Sequence, residues 1–185
     1  MKRLSKILLL VAALLTLLGC TAGHPLQFQD VNGQPHTPLA AKQPVVFIFI
    51  TTDCPNSNGY APEVNRIVEI YTPKGVAFYL VHVDPDLKTD EARKHAEEFG
   101  YHCPVLIDAK HQLVEFTHAT VTPEAAVLKG GKLFYHGRIN DLYAGLGKRR
   151  PEPTQHDLRD ALDALLAGRS ISNATTTAVG CYISK

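Results

Sequence analysis

Cys54 is the residue best placed to do chemistry. It lies in Thr51-Thr52-Asp53-Cys54-Pro55-Asn56-Ser57, where an apolar run, Pro44 to Ile50, ends and a helix begins. A thiol at that junction faces the free N–H groups and dipole of the helix N-terminus, which favour the anion. Such a setting lowers a cysteine pKa to roughly 3.5–7.5 and makes the thiol a nucleophile. The bland alternative is a small buried hydrophobe. Ser57, three residues on, carries a hydroxyl that can donate a hydrogen bond to a thiolate; otherwise it is an ordinary residue of a first helical turn. The chain has four cysteines, Cys20, Cys54, Cys103 and Cys181. With Cys20 set aside, the remaining three are odd in number, so any one intramolecular bridge leaves one thiol free.

The elements that must position Cys54 follow from periodicity and punctuation. Phe28 to Gln34 has an Asn-Gly turn and reads as a hairpin. Pro44 to Ile50 reads as a strand buried on both faces. Val64, Ile67, Val68 and Tyr71 fall at helical spacing within Pro62 to Tyr71, and Gly75 ends that element. Val76 to Val83 is a second strand and Thr89 to Phe99 a second helix, stopped by Gly100. Pro104 to Asp108 is a short strand. Ala125 to Leu128 and Lys132 to His136 flank a Gly130-Gly131 turn. Thr154 to Leu166 is a helix, with Thr154 as the expected N-cap and Gly168 closing it. Arg169 to Lys185 is a polar tail. Strands alternating with helices, then a hairpin and a last helix, predict an α/β layer fold with a mixed sheet.

The ends and the balance of charge bound the setting. Lys2, Arg3 and Lys6 precede an apolar Ile7 to Leu18, too short to span a bilayer and suited to a signal peptide. Leu17-Leu18-Gly19-Cys20 resembles a bacterial lipobox, which implies lipidation at Cys20 and a membrane anchor without a spanning helix. The expected organisation is residues 1–19 signal peptide, 20–27 lipidated tether, 28–168 the domain and 169–185 the tail. An exported chain meets a compartment where disulfides persist. The net charge of +1 gives no reason to expect a nucleic-acid partner.

The order β–α–β–α–β–(loop)–β–β–α resembles a thioredoxin-like fold with the additions of the redoxin branch, which includes AhpC/TSA peroxidases and TlpA-like thiol oxidoreductases. The resemblance covers about residues 26–168. It rests on Cys54-Pro55-Asn56-Ser57 at the Cys-x-x-Cys position, Ala61-Pro62 at the helix-kink position, Val121-Thr122-Pro123 at the cis-proline position, and the Gly-Gly hairpin with its final helix. It implies a mixed central sheet flanked by helices, with an N-terminal hairpin and a C-terminal tail. It also implies that the backbone at Thr122 and Pro123 faces the reactive sulfur and pairs with an extended substrate.

Two departures matter. Ser57 replaces the second cysteine, so Cys54 cannot run a dithiol cycle within that motif. Thr51-x-x-Cys54 matches part of the peroxidase motif, but Phe47 stands where that motif has proline. The peroxidase arginine falls on Arg138, which the expected topology brings to the Cys54 edge, where a guanidinium would stabilise a thiolate or peroxide. The same topology sends Cys103 to the opposite edge. That favours a Cys103–Cys181 clamp with Cys54 free, while twelve residues between Gly168 and Cys181 also allow Cys181 to return and resolve Cys54.

The reading calls for no cofactor and no metal. The chain carries nine histidines; His95 is expected on a solvated helix face, and His82, Asp84 and His118 near one sheet edge. Sco-like copper handling is weakened by the single cysteine at the motif. Lys148-Arg149-Arg150 is expected at the site's rim. The resulting expectation is a membrane-anchored, periplasm-facing thiol oxidoreductase of the bacterial envelope. Cys54, Thr51, Ser57, Thr122, Pro123 and Arg138 form its site, and its partners are envelope thiol/disulfide proteins or small peroxides. A one-cysteine peroxidase of the AhpC/TSA type and a non-catalytic binding module remain alternatives.

Overall fold

The computed structural model describes residues 26–184. The expected signal peptide, Cys20 and most of the expected tether lie outside the described residues. Among the described residues no helix is long and apolar enough to cross a membrane.

The domain is built on strand β3, Pro44–Ile50, every residue of which is buried. Its side chains alternate between two apolar layers, as a strand covered on both faces must. Val46, Ile48 and Ile50 face one cluster; Val45, Phe47 and Phe49 face the other. Strands β4 (Ala77–His82) and β5 (Val105–Ile107) extend the sheet in parallel on one side of β3. Strands β7 (Glu124–Lys129) and β8 (Lys132–Gly137) extend it antiparallel on the other. The order is β5-β4-β3-β7-β8. A hairpin of β1 (Phe28–Gln29) and β2 (Pro35–His36) lies at the β5 edge, where Asp30 bridges to Leu106. Its turn is pinned by the Asp30 carboxylate, which accepts from the N–H groups of Asn32 and Gln34 at 2.8 and 2.9 Å.

Helix α1, Pro55–Tyr71, begins directly after Cys54, with Pro55 at the first helical position where its missing N–H costs nothing. Its start lies about two turns before Pro62, where the Val64-to-Tyr71 periodicity alone places it. Helix α2, Thr89–Glu98, packs through Ala92 on the same sheet face as α1. A short helix, α3, Gln112–Thr117, covers the other face through Leu113 and Val114. The sequence patterning did not reveal it, because six residues carry too little periodicity.

Helix α4, Asp157–Leu166, packs Leu158, Leu162 and Leu165 beside α1. Its N-cap is His156, not Thr154. The Thr154 hydroxyl and N–H instead donate to Asp141 at 2.6 Å each, and the Gln155 N–H joins them, so this carboxylate organises the approach to the helix.

His95 is a second correction. It is buried rather than solvated, lying with its ring centroid 5.0 Å from that of His82 and 4.7 Å from that of Phe99. Among the described residues no group of three or more His, Cys, Asp or Glu side chains could hold a metal ion, so His82, Asp84 and His118 form no cluster. His82 turns into the space between sheet and helix instead.

Candidate active site

The strand directions bring the candidate residues to one edge. β3 ends at Ile50, delivering Thr51 and Cys54 there, while β7 begins at Glu124, opposite Phe49. Thr122 and Pro123 therefore sit beside Thr51 and Cys54. The Thr122–Pro123 bond is cis, as the resemblance implied. The Cys54 thiol donates to the Thr122 carbonyl at 3.0 Å, and the Thr51 and Thr122 hydroxyls lie 3.4 Å apart.

Glu124, next to Pro123, holds this edge in place. Its buried carboxylate accepts from the Thr120 N–H at 2.8 Å and from the Thr120 hydroxyl and Val121 N–H at 3.3 Å each; His136 lies 3.2 Å away. Sequence reasoning missed it. A glutamate opening an otherwise apolar strand, EAAVLK, was the available signal, since a buried carboxylate needs partners.

The tail, expected as a polar appendage, completes the site. After α4 it turns back along that helix, with Arg169 to Asn173 facing Asp157, Asp160 and Ala164. The His136 N–H then donates to the Ala174 carbonyl and the Thr176 N–H to the His136 carbonyl, at 3.0 and 3.1 Å. The Asn56 amide donates to the Val179 carbonyl at 3.1 Å across the mouth of α1. Strand β11, Cys181–Tyr182, pairs antiparallel with β6, Val121–Thr122, placing Cys181 opposite Thr122. The Ile183 N–H donates to the Thr120 carbonyl at 3.0 Å.

Cys54 thus lies under the tail and is 0% exposed. Burial alone would raise its pKa. Hydrogen bonding from the Cys181 thiol, the Ser57 hydroxyl and N–H, and the Thr122 hydroxyl outweighs burial and lowers it to about 7. Ser57 Oγ is buried with no partner in the neutral site, so its hydroxyl is free to turn to a thiolate. Cys181 moves the opposite way: burial, and then the hydrogen bond and charge of Cys54, push it up to about 12. The surroundings thus favour the thiolate at Cys54 and the thiol at Cys181.

Cys103 is not part of this pair. β5 runs parallel to β4 with Val105 opposite Leu80, and Leu80 lies opposite Ile48, so Cys103 is level with Val46. Four residues of strand at about 3.3 Å each separate that level from Ile50. Of the two arrangements the sequence left open, the structure sets Cys181 beside Cys54 rather than beside Cys103, with all three thiols unbonded. Burial pushes Cys103 up to about 12.

Arg138 reaches the same edge but turns away from the sulfur. Its guanidinium is bound to Asp157 at 2.7 Å and to the Gln155 side chain. Lys148 and Arg149 are exposed on a small hairpin, β9 (Tyr143–Gly145) and β10 (Lys148–Arg149), whose turn donates the Gly147 N–H to the Asn56 side-chain Oδ1 at 3.1 Å. Asn56, also missed by sequence reasoning, links both that rim and the tail to the start of α1.

No family model matches this sequence, and no curated protein does. Solved structures do. An uncharacterized conserved protein from Geobacillus kaustophilus is 27% identical, with a TM-score of 0.73 over 88% of this chain and 89% of that one. A hypothetical protein from Sinorhizobium meliloti is 24% identical, with a TM-score of 0.72 over 85% and 89%. A secreted Mycobacterium tuberculosis disulfide oxidoreductase homologous to E. coli DsbE is 14% identical, with a TM-score of 0.56 over 76% and 96%. The fold is thioredoxin-like, with a mixed central sheet flanked by helices.

Proposed function

We propose that this chain is a thiol–disulfide oxidoreductase in which Cys54 is the nucleophile and Cys181, carried by the tail, supplies the second thiol. The observation that carries the reading is the placement of Cys181 opposite Thr122, whose carbonyl accepts from the Cys54 thiol at 3.0 Å; with Cys181 beside it, the pKa of Cys54 is lowered and that of Cys181 raised. Cys54 thiolate attacks one sulfur of a substrate disulfide. That S–S bond breaks, the leaving thiolate takes a proton, and a mixed disulfide remains on Cys54. Cys181, deprotonated, attacks Cys54 of the mixed disulfide, releases the substrate thiol and forms the Cys54–Cys181 disulfide. Two electrons have passed to the substrate, and an external dithiol restores the pair. Thr51 and Thr122 frame the sulfur, and Ser57 steadies its charge in place of a second helix cysteine.

The one-cysteine peroxidase reading is weaker, because Arg138 is engaged with Asp157 rather than facing Cys54. The envelope setting rests on the N-terminal segment and the lipobox at Cys20; similarity of fold to a secreted oxidoreductase agrees with it. Cys20→Ala is expected to move the protein from the membrane to the soluble fraction.

The test is trapping. With Cys181→Ser, a disulfide substrate should accumulate as a mixed disulfide on Cys54, detected by mass, while the unaltered pair turns over. Faster consumption of hydrogen peroxide than of disulfides, with no trapped species, would favour the peroxidase.

A further inference from the structure

The edge strand β6 is where an extended partner would pair, and the chain fills it with its own residues. Cys181 lies opposite Thr122 and Tyr182 opposite Val121. Cys181 is set beside Cys54, whose thiol donates to the carbonyl of the same Thr122 at 3.0 Å, whereas Tyr182, the next residue, is 87% exposed. The preceding residue is the constrained one. A Cβ built on Gly180 would collide with the Thr122 carbonyl and the Pro123 nitrogen, which are backbone and have no rotamer by which to move aside. Gly180 is not in a left-handed conformation, so crowding rather than φ demands glycine here.

We infer that Gly180-Cys181 is the chain's own stand-in for its substrate: the site accepts extended polypeptides bearing a Gly-Cys disulfide half, and the tail must unseat for them to enter. This deepens the oxidoreductase reading and rests on it. Any extended strand that sets its cysteine on Cys54 in the register of Cys181 puts its preceding residue against the same carbonyl. The residue after the cysteine points outward and is unrestricted. Since Cys54 is fully covered when the tail is docked, opening precedes attack. The anchors to be released are the Asn56 amide on Val179, the β6 pairing, and Ile183 against the cluster around Val114 and Ala119. The substrate then pairs with β6 and its Gly-Cys sulfur is attacked by Cys54; the S–S bond to its other half breaks and that half leaves as a thiol. The tail returns, and Cys181 expels the substrate thiol as above.

The experiment uses the full chain carrying Cys103→Ser and Cys181→Ser. Two further variants unseat the tail independently: Gly180→Val by collision, and Ile183→Lys by removing an apolar anchor. Both should raise the rate of iodoacetamide capture of Cys54 about tenfold or more, with circular dichroism unchanged; unchanged capture in both would overturn the covering role. Two peptides differing only in Gly-Cys against Val-Cys are then offered as mixed disulfides with a chromophoric aryl thiol. The glycine peptide should react about tenfold faster, the equivalent of one avoided clash of ~1.4 kcal/mol. Equal rates would overturn the substrate class while leaving the oxidoreductase reading intact. Failure of both peptides, and of a small aryl disulfide, in the unseated variants would overturn the oxidoreductase reading itself.

Discussion

The thiolate population of Cys54 can be predicted from its neighbours. Burial opposes ionisation, and hydrogen bonding from Cys181, Ser57 and Thr122 reverses the balance, taking the pKa from 9.0 to about 7. At pH 7 about half of the Cys54 population is then thiolate, against about one part in a hundred for an unperturbed thiol. A hydrogen bond to a charged group contributes roughly 1.5–3 kcal/mol. Losing one donor should therefore cut the thiolate fraction at pH 7 about tenfold. Cys181→Ala and Ser57→Ala each remove one donor, Cys181 the larger. The assay is the ultraviolet thiolate absorbance as a function of pH, in protein with Cys103→Ser. Cys181 does not confuse the titration, because its own pKa is pushed up to about 12. The single-variant midpoints should move up from about 7, and the double variant further still, since burial is then unopposed by either group. A starting midpoint near that of free cysteine, or midpoints indifferent to both substitutions, would refute the account of how this thiol is activated.

His82 is fully buried, both ring nitrogens lack partners, and burial with the nearby His95 lowers its pKa from 6.5 to about 3. The unfolded chain takes up the proton first, so stability present above pH 6.5 is lost as pH falls toward 3. The loss is on the order of 4 kcal/mol, and urea midpoints measured from pH 7 to pH 4 should be much flatter in His82→Leu. Glu124→Ala leaves the Thr120 and Val121 N–H groups unsatisfied. It should cost about 2–4 kcal/mol in urea unfolding and slow disulfide exchange at Cys54 by displacing the Thr122 edge. Arg138→Met breaks a largely buried pair with Asp157 and should cost about 1–3 kcal/mol by the same unfolding measurement, because its guanidinium is spent on the start of α4.

What was legible in the sequence is what repeats or punctuates. The seven-residue apolar run before Cys54, short and rich in β-branched and aromatic residues, read as a strand covered on both sides, and its end fixed the position of the thiol. The Gly-Gly turn fixed the β7–β8 hairpin, and Thr122-Pro123 marked the opposing edge. His95 was misread because one histidine on a charged helix looks solvated unless the partner strand is known to present His82. Thr154 was misread as a cap because Asp141, thirteen residues earlier, claims its hydroxyl. The course of the tail was left open between two pairings for a physical reason too. Its docking uses backbone groups, such as Val179, Ala174 and Ile183, and backbone pairing leaves no signature in side-chain periodicity. Gly180 and Asn56 encode it, and each has an ordinary local explanation when read alone.

Ser57 and Cys181 belong to one arrangement. A cysteine at position 57 would sit permanently in the first turn of α1, always available to release a substrate bound to Cys54. In the proposed cycle, with serine there, the hydroxyl still steadies the thiolate, but the resolving thiol arrives only when the tail is docked, and the docked tail occupies the strand that a polypeptide substrate would use. Attack and release therefore use the same place at different times. A mixed disulfide should persist until the substrate strand gives way to residues 180–183, so release should slow as the affinity of the substrate for β6 rises. A dithiol confined to the helix would show no such dependence. Comparing release of short and long Gly-Cys peptides from Cys54 distinguishes the two, since only added β6 pairing separates them.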